Sequence, residues 1–521
     1  MMKRLLLLLL STILLVGILG ACSSEKKTNS SSKDGEMKIT WFDGTWETPV
    51  PEPGSEGVKK INEKFGVSFE PQYIPFDLYT DKLAVKMASG DIPDVIGDEL
   101  AGANFVKWAK QGAFLPLNDY INEFENFKAI PDSVWDAVSV DGNKYAIPLY
   151  FPASGGKKPV IRKDWLDKLG LEMPTNFEEL VEVAIAFATE DPDGNGKDDT
   201  VGLGLAKGMV YDPSFGTYWS STWYHKNEEG QLIPGQISEG NKEKITALHE
   251  LHKGGALDKD WSVKPYNDVF KDFYAGKVGI WYEQPGAGKG ADFASLWKIS
   301  PDAEIAALPA FEAPDGSQGF VAGGGYYRMW MLSAKLKEDP EKVKKILEMM
   351  DYMAKYIPAE EQTPDNEYFD WTMGGEGKGY TMEDGVAKNT DEFSKYAPIA
   401  YFNQKQGGWI EGEKSMLDYE VQSQEPEAKE FNKIMVDMLL DSNFYINPVG
   451  RIHSTVYNEK IDELNEYATN ELSKMVVGQR PISEWDQFVE EYLAKGGKDV
   501  ITDVNNQLKE EKVEGEWVHS K

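Results

Sequence analysis

The sequence predicts an α/β fold in which helices cover mainly parallel strands. Three observations predict it. Residues 37–96 alternate strand-like and helix-like apolar patterns without a break. A second unit of the same kind begins near Val160-Ile161-Arg162. No short-period repeat of the sort that builds a solenoid or propeller runs through the chain.

The elements follow in chain order. Met37-Lys-Ile-Thr-Trp-Phe42 alternates as a strand does and runs into Asp43-Gly44; the alternation points Trp41 into the core, opposite to Phe42. Val58, Ile61 and Phe65 recur at helical spacing, and Gly66 ends that helix. Val67-Ser-Phe69 is a second strand. Leu83, Ala84, Met87 and Ala88 form another helical stripe, stopped by Gly90, and Asp91–Ile96 follows as a buried strand. In the second unit, Thr175 to Glu178 reads as a capping box for a helix carrying Leu180, Val181, Ala184 and Phe187. Lys277–Trp281 is a short strand. Asp339-Pro340 starts a helix with a cap and a first-turn proline, its core face being Val343, Ile346, Leu347 and Met350. In the tail, Tyr457, Ile461, Leu464 and Tyr467 share one helix face. Trp485, Phe488, Val489 and Tyr492 share another, expected to be capped by Ser483 and stopped by Gly496-Gly497.

Composition narrows the function. A length of 521 residues allows two to four domains. The 87 acidic residues against 55 Lys+Arg give a net charge of −32, which argues against a nucleic-acid partner. One cysteine excludes a disulfide framework and a zinc site built on several thiolates, and five histidines argue against a His-rich catalytic centre. The 15 Trp, 24 Tyr and 23 Phe supply ring faces on which sugars stack, and which large cores also use.

The N-terminus reads as an export signal. Lys3 and Arg4 form a positive n-region, Leu5 to Leu19 an apolar h-region, and Gly20-Ala21 a small-residue cleavage site. The chain's one cysteine, Cys22, follows directly, and Leu19-Gly20-Ala21-Cys22 resembles the bacterial lipobox, which implies acylation of Cys22. The alternative is an uncleaved membrane anchor, but Ser11, Thr12, Gly17 and Gly20 interrupt a run barely as long as the about 20 residues a span needs. Residues 1–21 are thus expected to be a signal peptide and 22–36 a polar, Ser/Lys-rich tether. Cleavage would remove Lys3 and Arg4 and take the charge from −32 to −34.

Several body segments together resemble family 1 extracellular solute-binding proteins of carbohydrate ABC transporters, near the large oligosaccharide-binding lipoproteins. They are Leu83–Val95 with its Gly90-Asp-Ile-Pro-Asp94 core, Asp141–Pro148, Ile161–Leu166 with Met173–Leu180, Phe273–Gly279, and Trp485-Asp486 with Gly496-Gly497. The resemblance implies a two-lobed, type II periplasmic-binding-protein-like fold with a ligand cleft at a multi-segment hinge. Lobe one would hold 37–152 and 306–356, lobe two 153–305 and 357–521, with crossovers near Pro152 and Pro309. It implies a monomeric receptor, anchored through the Cys22 lipid on the outer face of the cell membrane, that captures an oligosaccharide and delivers it to the permease of an ABC importer. A tethered receptor favours a Gram-positive source.

In such proteins the loops after strands face the cleft. That rule selects Phe42, Asp43, Trp46, Asp98, Glu99, Tyr150, Trp219, Trp223, Trp281 and Glu283 as ligand-binding candidates, with Trp371 as a further one and Arg328 as a partner for a uronate carboxylate. Each of these aromatics is equally open to a plain core role.

Asp191, Asp193, Asn195, Gly196, Lys197 and Asp199 match the first nine positions of a calcium loop, with Lys197 contributing its carbonyl. Position 12 is Gly202, so the bidentate Glu of an EF-hand is missing; the family resemblance implies a further ligand at Thr200. A structural Ca2+ is expected, against the alternative of a metal-free turn. No catalytic residue is expected. A secreted glycoside hydrolase would need two carboxylates across a cleft, and a sensing receptor or adhesin would use the same lobes. No Gly-x-Ser-x-Gly, His-Glu-x-x-His or phosphate loop is present.

Overall fold

The computed structural model describes residues 36–510 and 518–519, apart from 46, 48, 99–100, 210–211, 228, 287–289, 384, 403–407, 415–416, 418–420, 422–425 and 453. Cys22, Trp46 and Glu99 lie outside the described residues. Nine strands build two sheets: β1 (Met37–Thr45), β2 (Val67–Pro75), β3 (Val95–Asp98), β4 (Ala146–Tyr150), β5 (Lys158–Arg162), β6 (Val201–Leu203), β7 (Val278–Glu283), β8 (Ile305–Ala307) and β9 (Tyr326–Leu332).

The first sheet has the order β2-β1-β3-β9-β4. β1 runs parallel to β2 and β3, and β9 is antiparallel to both β3 and β4. The second has the order β8-β5-β7-β6. Adjacent residues of its central strands divide between two cores: Ile161 and its partner Ile280 enter one, and Val160 and its partner Trp281 enter the other, as a period of two requires.

Helices close these faces. α1 (Glu56–Phe65) buries Val58, Ile61 and Phe65, is capped by Ser55, and stops at Gly66, which takes a φ of 66°. α2 (Phe76–Ser89) packs against β1 and β2 of the same sheet. α3 (Phe177–Thr189) and α4 (Glu239–Lys253) pack together over the second sheet. The cap of α3 sits one residue later than the sequence pattern suggests. Asn176 accepts from the Glu179 N–H, and the Glu179 carboxylate returns to the Thr175 N–H and hydroxyl. α5 (Pro340–Met353) starts on Asp339 and Pro340 as expected. α6 (Thr455–Val476) begins on Ser454. Ser483 does not cap the next helix (Trp485–Tyr492), which follows directly on a 3-10 turn, Ile482–Glu484. Gly496-Gly497 does not end it either. The chain passes through a π turn, Leu493–Gly497, and continues as the helix Lys498–Glu510. Among the described residues no helix is long and apolar enough to cross a membrane.

The cores correct the expected segment boundaries. Ala306 and Ala307 pair with Ile161 and Val160, so 306–307 belongs to the second sheet. Phe311 and Ala313 lie in its core, and the chain rejoins the first sheet only at Tyr326. Residues 357–402 were expected in lobe two, yet Phe393, Ala397, Ala400, Tyr401 and Phe402 are buried in the first core. Phe402 stacks on Phe69 at 6.1 Å and meets Trp41 edge-on at 5.4 Å, while the Tyr73 hydroxyl donates to the Tyr401 carbonyl. Aromatic packing against β1 and β2 holds this segment on lobe one. Leu417 and Ala428 are the next residues in a lobe-two core, which puts the third crossing between 402 and 417.

Candidate functional site

Strand direction decides which ends of the two sheets face each other. On the first sheet, β1 and β3 end at Thr45 and Asp98, β9 begins at Tyr326, and Tyr326 pairs with Tyr150 at the end of β4. β4 then leads through Phe151 and Pro152 into β5, whose first residue, Lys158, pairs with Glu283 at the end of β7. Two of the three crossings are bonded to each other. Phe151 N–H donates to the Gly325 carbonyl at 3.0 Å, and Gly323 N–H to the Ala153 carbonyl at 2.7 Å. The third crossing joins them. Glu413 accepts from the Ser154 N–H at 2.6 Å, and Trp409 meets the Tyr150 ring edge-on at 4.9 Å. The edge carrying Asp98 and Tyr150 therefore faces the edge carrying Lys158 and Glu283. The turn Pro448–Arg451 of lobe two packs against the helix Asp132–Ala137 of lobe one and bounds the interlobe cleft at another point.

On the lobe-one edge, Asp43 and Arg328 are wholly buried and paired. Asp43 also accepts from the Trp330 indole N–H at 2.9 Å and the Gly44 N–H at 2.7 Å. The Arg328 guanidinium lies 4.3 Å over the Phe76 ring. Phe42 is buried too, stacked on Tyr79 at 5.2 Å with the Lys86 ammonium 4.9 Å from its ring. The expected ligand roles of Phe42, Asp43 and Arg328 are thus corrected, because their polar and ring faces are engaged within the lobe. Asp98 is half-buried at the strand end, and Tyr150 is buried under Trp409. Burial, with Glu413 and Glu411 nearby, pushes the Tyr150 phenol well above its ordinary value. Trp371 packs edge-on against Phe65 and Tyr352, beside the residues that lead into Val67. Val67 pairs with Met37 at the opposite end of the sheet, so Trp371 is remote from the cleft.

On the lobe-two edge, Lys157 reaches Glu283 at 3.3 Å and donates to the Tyr266 hydroxyl. The Trp281 indole N–H reaches the same Glu283 carboxylate at 3.1 Å, and its ring stacks on Tyr266 at 5.5 Å. Burial raises the Glu283 carboxyl against the pull of Lys157. Lys158 donates to the carbonyls of Gly155 at 3.0 Å and Gly156 at 3.5 Å, and burial lowers it to about 8. Both lysines line a cavity of about 170 Å3 with Asp212, Ser214, Ser220, Thr222 and Val321. Trp219 belongs to the lobe-two core, packed on Phe177 and Phe311, with its N–H on Glu243 at 2.9 Å. Trp223 is buried in the wall of a larger cavity beside the hairpin Tyr224–Pro234.

The loop Asp191–Asp199 is tied by its own hydrogen bonds. Asp191 accepts from the N–H groups of Asn195 at 3.1 Å and Gly196 at 3.0 Å. The Asn195 amide nitrogen lies between Asp193 at 2.7 Å and Asp199 at 2.9 Å. Carboxylate, amide and carbonyl oxygens are the donors a hard cation takes, so the chemistry of the set fits calcium. Among the described residues no three His, Cys, Asp or Glu side chains stand in a metal-holding cluster. Thr200 is not part of the set: it is buried and donates to the Phe187 carbonyl at 2.8 Å. Gly202 is held against α3, where a Cβ would stand 2.0 Å from the Ala184 carbonyl oxygen.

Sequence reasoning passed over Lys157, Lys158, Tyr266, Trp409 and Glu413. One signal was available: a Lys-Lys doublet between Gly155-Gly156 and a strand, in a strongly acidic chain, directly after the first crossing.

The sequence of residues 46–355, more than half of the chain, matches the family of bacterial extracellular solute-binding proteins. The chain belongs to that family. Its relatives include the polygalacturonan/rhamnogalacturonan-binding protein YtcQ of Bacillus subtilis, 24% identical over 97% of this chain and 99% of that one. Lipoprotein LipO of the same organism is 25% identical over 97% and 98%. Among solved structures, the FusA substrate-binding protein of Streptococcus pneumoniae in complex with kestose superposes with a TM-score of 0.65, at 17% identity, over 91% of this chain and 99% of that one; an EF-hand mutant of FusA has also been solved. These likenesses show a type II solute-binding fold, in a family of binding proteins.

Proposed function

We propose that this protein captures an oligosaccharide in the interlobe cleft and delivers it to the permease of an ABC importer. The observation that carries the reading is the pairing of two strand edges across three bonded crossings, each edge rimmed by ring faces and hydrogen-bonding groups. Such an arrangement can bind by lobe movement alone, because a ligand touching both edges shifts the hinge equilibrium toward the closed form. YtcQ and FusA, each matching nearly its whole length to this chain, are named for binding sugar polymers or oligosaccharides. No bond chemistry is part of the reading.

The finer features are also proposals. Cys22 carries a diacylglycerol anchor that holds a monomeric body on the outer face of the cell membrane, in line with the named lipoprotein LipO. Asp191, Asp193, Asn195, the Lys197 carbonyl and Asp199 hold a structural Ca2+, which would order this lobe-two loop; a calcium-dependent rise in melting temperature, abolished in Asp193→Ala, is expected. A thermal-shift screen of the full chain against plant and bacterial oligosaccharides tests the main reading, since a ligand of the native state must raise the melting temperature. A shift with one sugar class, and recovery of that sugar intact, is expected. Recovery of cleaved sugar would replace the reading with a hydrolase, and no shift with any sugar would point to a different solute.

A further inference from the structure

One cavity lies apart from the edges that define the cleft. It holds about 840 Å3 and sits on lobe two, between the hairpin Tyr224–Pro234 and the start of α4. That is within the range of roughly 300–1,000 Å3 typical of small-molecule sites. It is separated from the cavity at Lys157 and Lys158 by a single segment. Ser220 and Thr222 line the smaller cavity, while Tyr218 and Trp223 line the larger one. Pro448, on the turn that touches lobe one, completes a wall. The larger compartment therefore lies across this segment from the lysine cavity beside the first crossing, and reaches a turn that touches lobe one.

Its lining is specific. Tyr218 offers a half-buried ring braced edge-on by Trp219 at 5.3 Å and by His225 at 5.9 Å. The start of α4 fixes it from behind, where a Cβ on Gly240 would stand 2.2 Å from the Tyr218 carbonyl oxygen. Asn447 ties down the segment by donating to the Thr222 carbonyl at 2.9 Å. Burial lowers His225 to about 4, so its ring is neutral near pH 7 and adds no positive charge to the lining. A braced ring beside the Asn227 amide and the Ser238 hydroxyl is complementary to a saccharide, whose C–H faces stack and whose hydroxyls donate and accept. The charged lining decides which saccharide. Glu229, Glu239 and Asp315 stand against Lys226, an excess of two negative charges. A uronate would meet like charge there, and a neutral sugar would not.

We infer that this compartment is a second sugar subsite, which takes the later units of a neutral oligosaccharide whose first units lie in the cleft, and so makes the protein selective for longer chains. The inference rests on the oligosaccharide reading above and adds to it both length and charge preference.

Calorimetric titration of the full chain with neutral cello-, xylo- and fructo-oligosaccharides of two to six units, and with galacturonate oligomers of the same lengths, tests it. For the neutral series that binds, affinity is expected to rise about tenfold beyond the shortest chains. Tyr218→Ala, which removes the ring, and Ile233→Trp, which fills the cavity, are expected to erase that rise and leave the shortest ligand within about twofold. Tyr218→Phe should keep it. Unchanged melting temperatures show that the variants fold. Three results would overturn the inference while leaving oligosaccharide capture intact: no length dependence in the natural protein, equal losses for short and long chains in both folded variants, or a length gain only for galacturonates. Failure of every oligosaccharide to bind the natural protein would instead overturn the oligosaccharide reading itself.

Discussion

The two strand edges that face the cleft handle charge in opposite ways. On lobe one, Asp43 and Arg328 have no exposed surface and satisfy each other, with Trp330 and Gly44 adding further bonds. On lobe two, Lys157 and Lys158 line a small cavity, and each is bonded within the lobe: a carboxylate and a phenol for one, two glycine carbonyls for the other. Lobe one thus holds its charge pair with no exposed surface, while lobe two sets its largely buried lysines in a cavity wall. The contrast lies in open space rather than in bonding: a polar residue after a strand is available to a ligand only where a cavity borders it, as one borders Lys157 and Lys158.

The largest expected effect lies on lobe one. Arg328→Met leaves Asp43 buried without its counter-charge and should destabilise the protein by about 3–5 kcal/mol in denaturant unfolding. Replacing both partners, as Asp43→Leu with Arg328→Met, should recover much of that loss. Equal costs for the single and double variants would break the account of a paired core charge. Next is Gly97→Ala. A Cβ there would fall 1.9 Å from the Asp43 carboxylate, for an expected cost of about 1–3 kcal/mol.

Lobe two should respond more mildly. Lys157→Met leaves Glu283 with the Trp281 and Gln284 N–H groups. Burial already raises this carboxyl, so it can escape by taking a proton. The expected cost is about 1–3 kcal/mol. It should deepen as pH rises above the ordinary carboxylate range, because the folded state then holds the proton that the unfolded state has released.

His225 sharpens the comparison from the acid side. Its folded value near 4 lies below the unfolded value of about 6.5. The unfolded chain therefore binds the extra proton first, and the stability supplied by the neutral ring, present above pH 6.5, is lost as pH falls from about 6.5 to about 4. Melting curves across that window should show a decline that His225→Gln reduces. The smallest effect belongs to the exposed pair of Lys163 and Asp167, where Lys163→Ala should leave the melting temperature nearly unchanged.

Local patterns carried much of the fold. The helices after Ser55 and Asp339 start where cap chemistry puts them, and Gly66 and Gly90 stop theirs with positive φ. Trp41 is in the core, as its alternation implies. The misreadings share a physical cause: partners distant in the sequence. Gly496-Gly497 looks like a helix stop, but the chain continues because the helix beyond it buries Val500 and Val504 in the lobe-two core. The placement of 393–402 depends on Phe69 and Trp41, more than 300 residues earlier in the chain. The candidate site is legible as a proposed place, the strand ends beside the crossings, and less so as a residue list. Whether Phe42 or Arg328 points to ligand is decided by Tyr79, Phe76 and Asp43 across the sheet, which no local pattern reveals.

The central claim is that the facing edges form one binding site that takes up an intact oligosaccharide. Titration calorimetry of the full chain with the oligosaccharide series, followed by mass analysis of the recovered sugar, tests it most directly. The account predicts saturable binding of one molecule per chain, weakened by Lys157→Met in a folded protein, with the sugar recovered uncleaved. Binding untouched by that change, or recovery of shortened sugar, would contradict it.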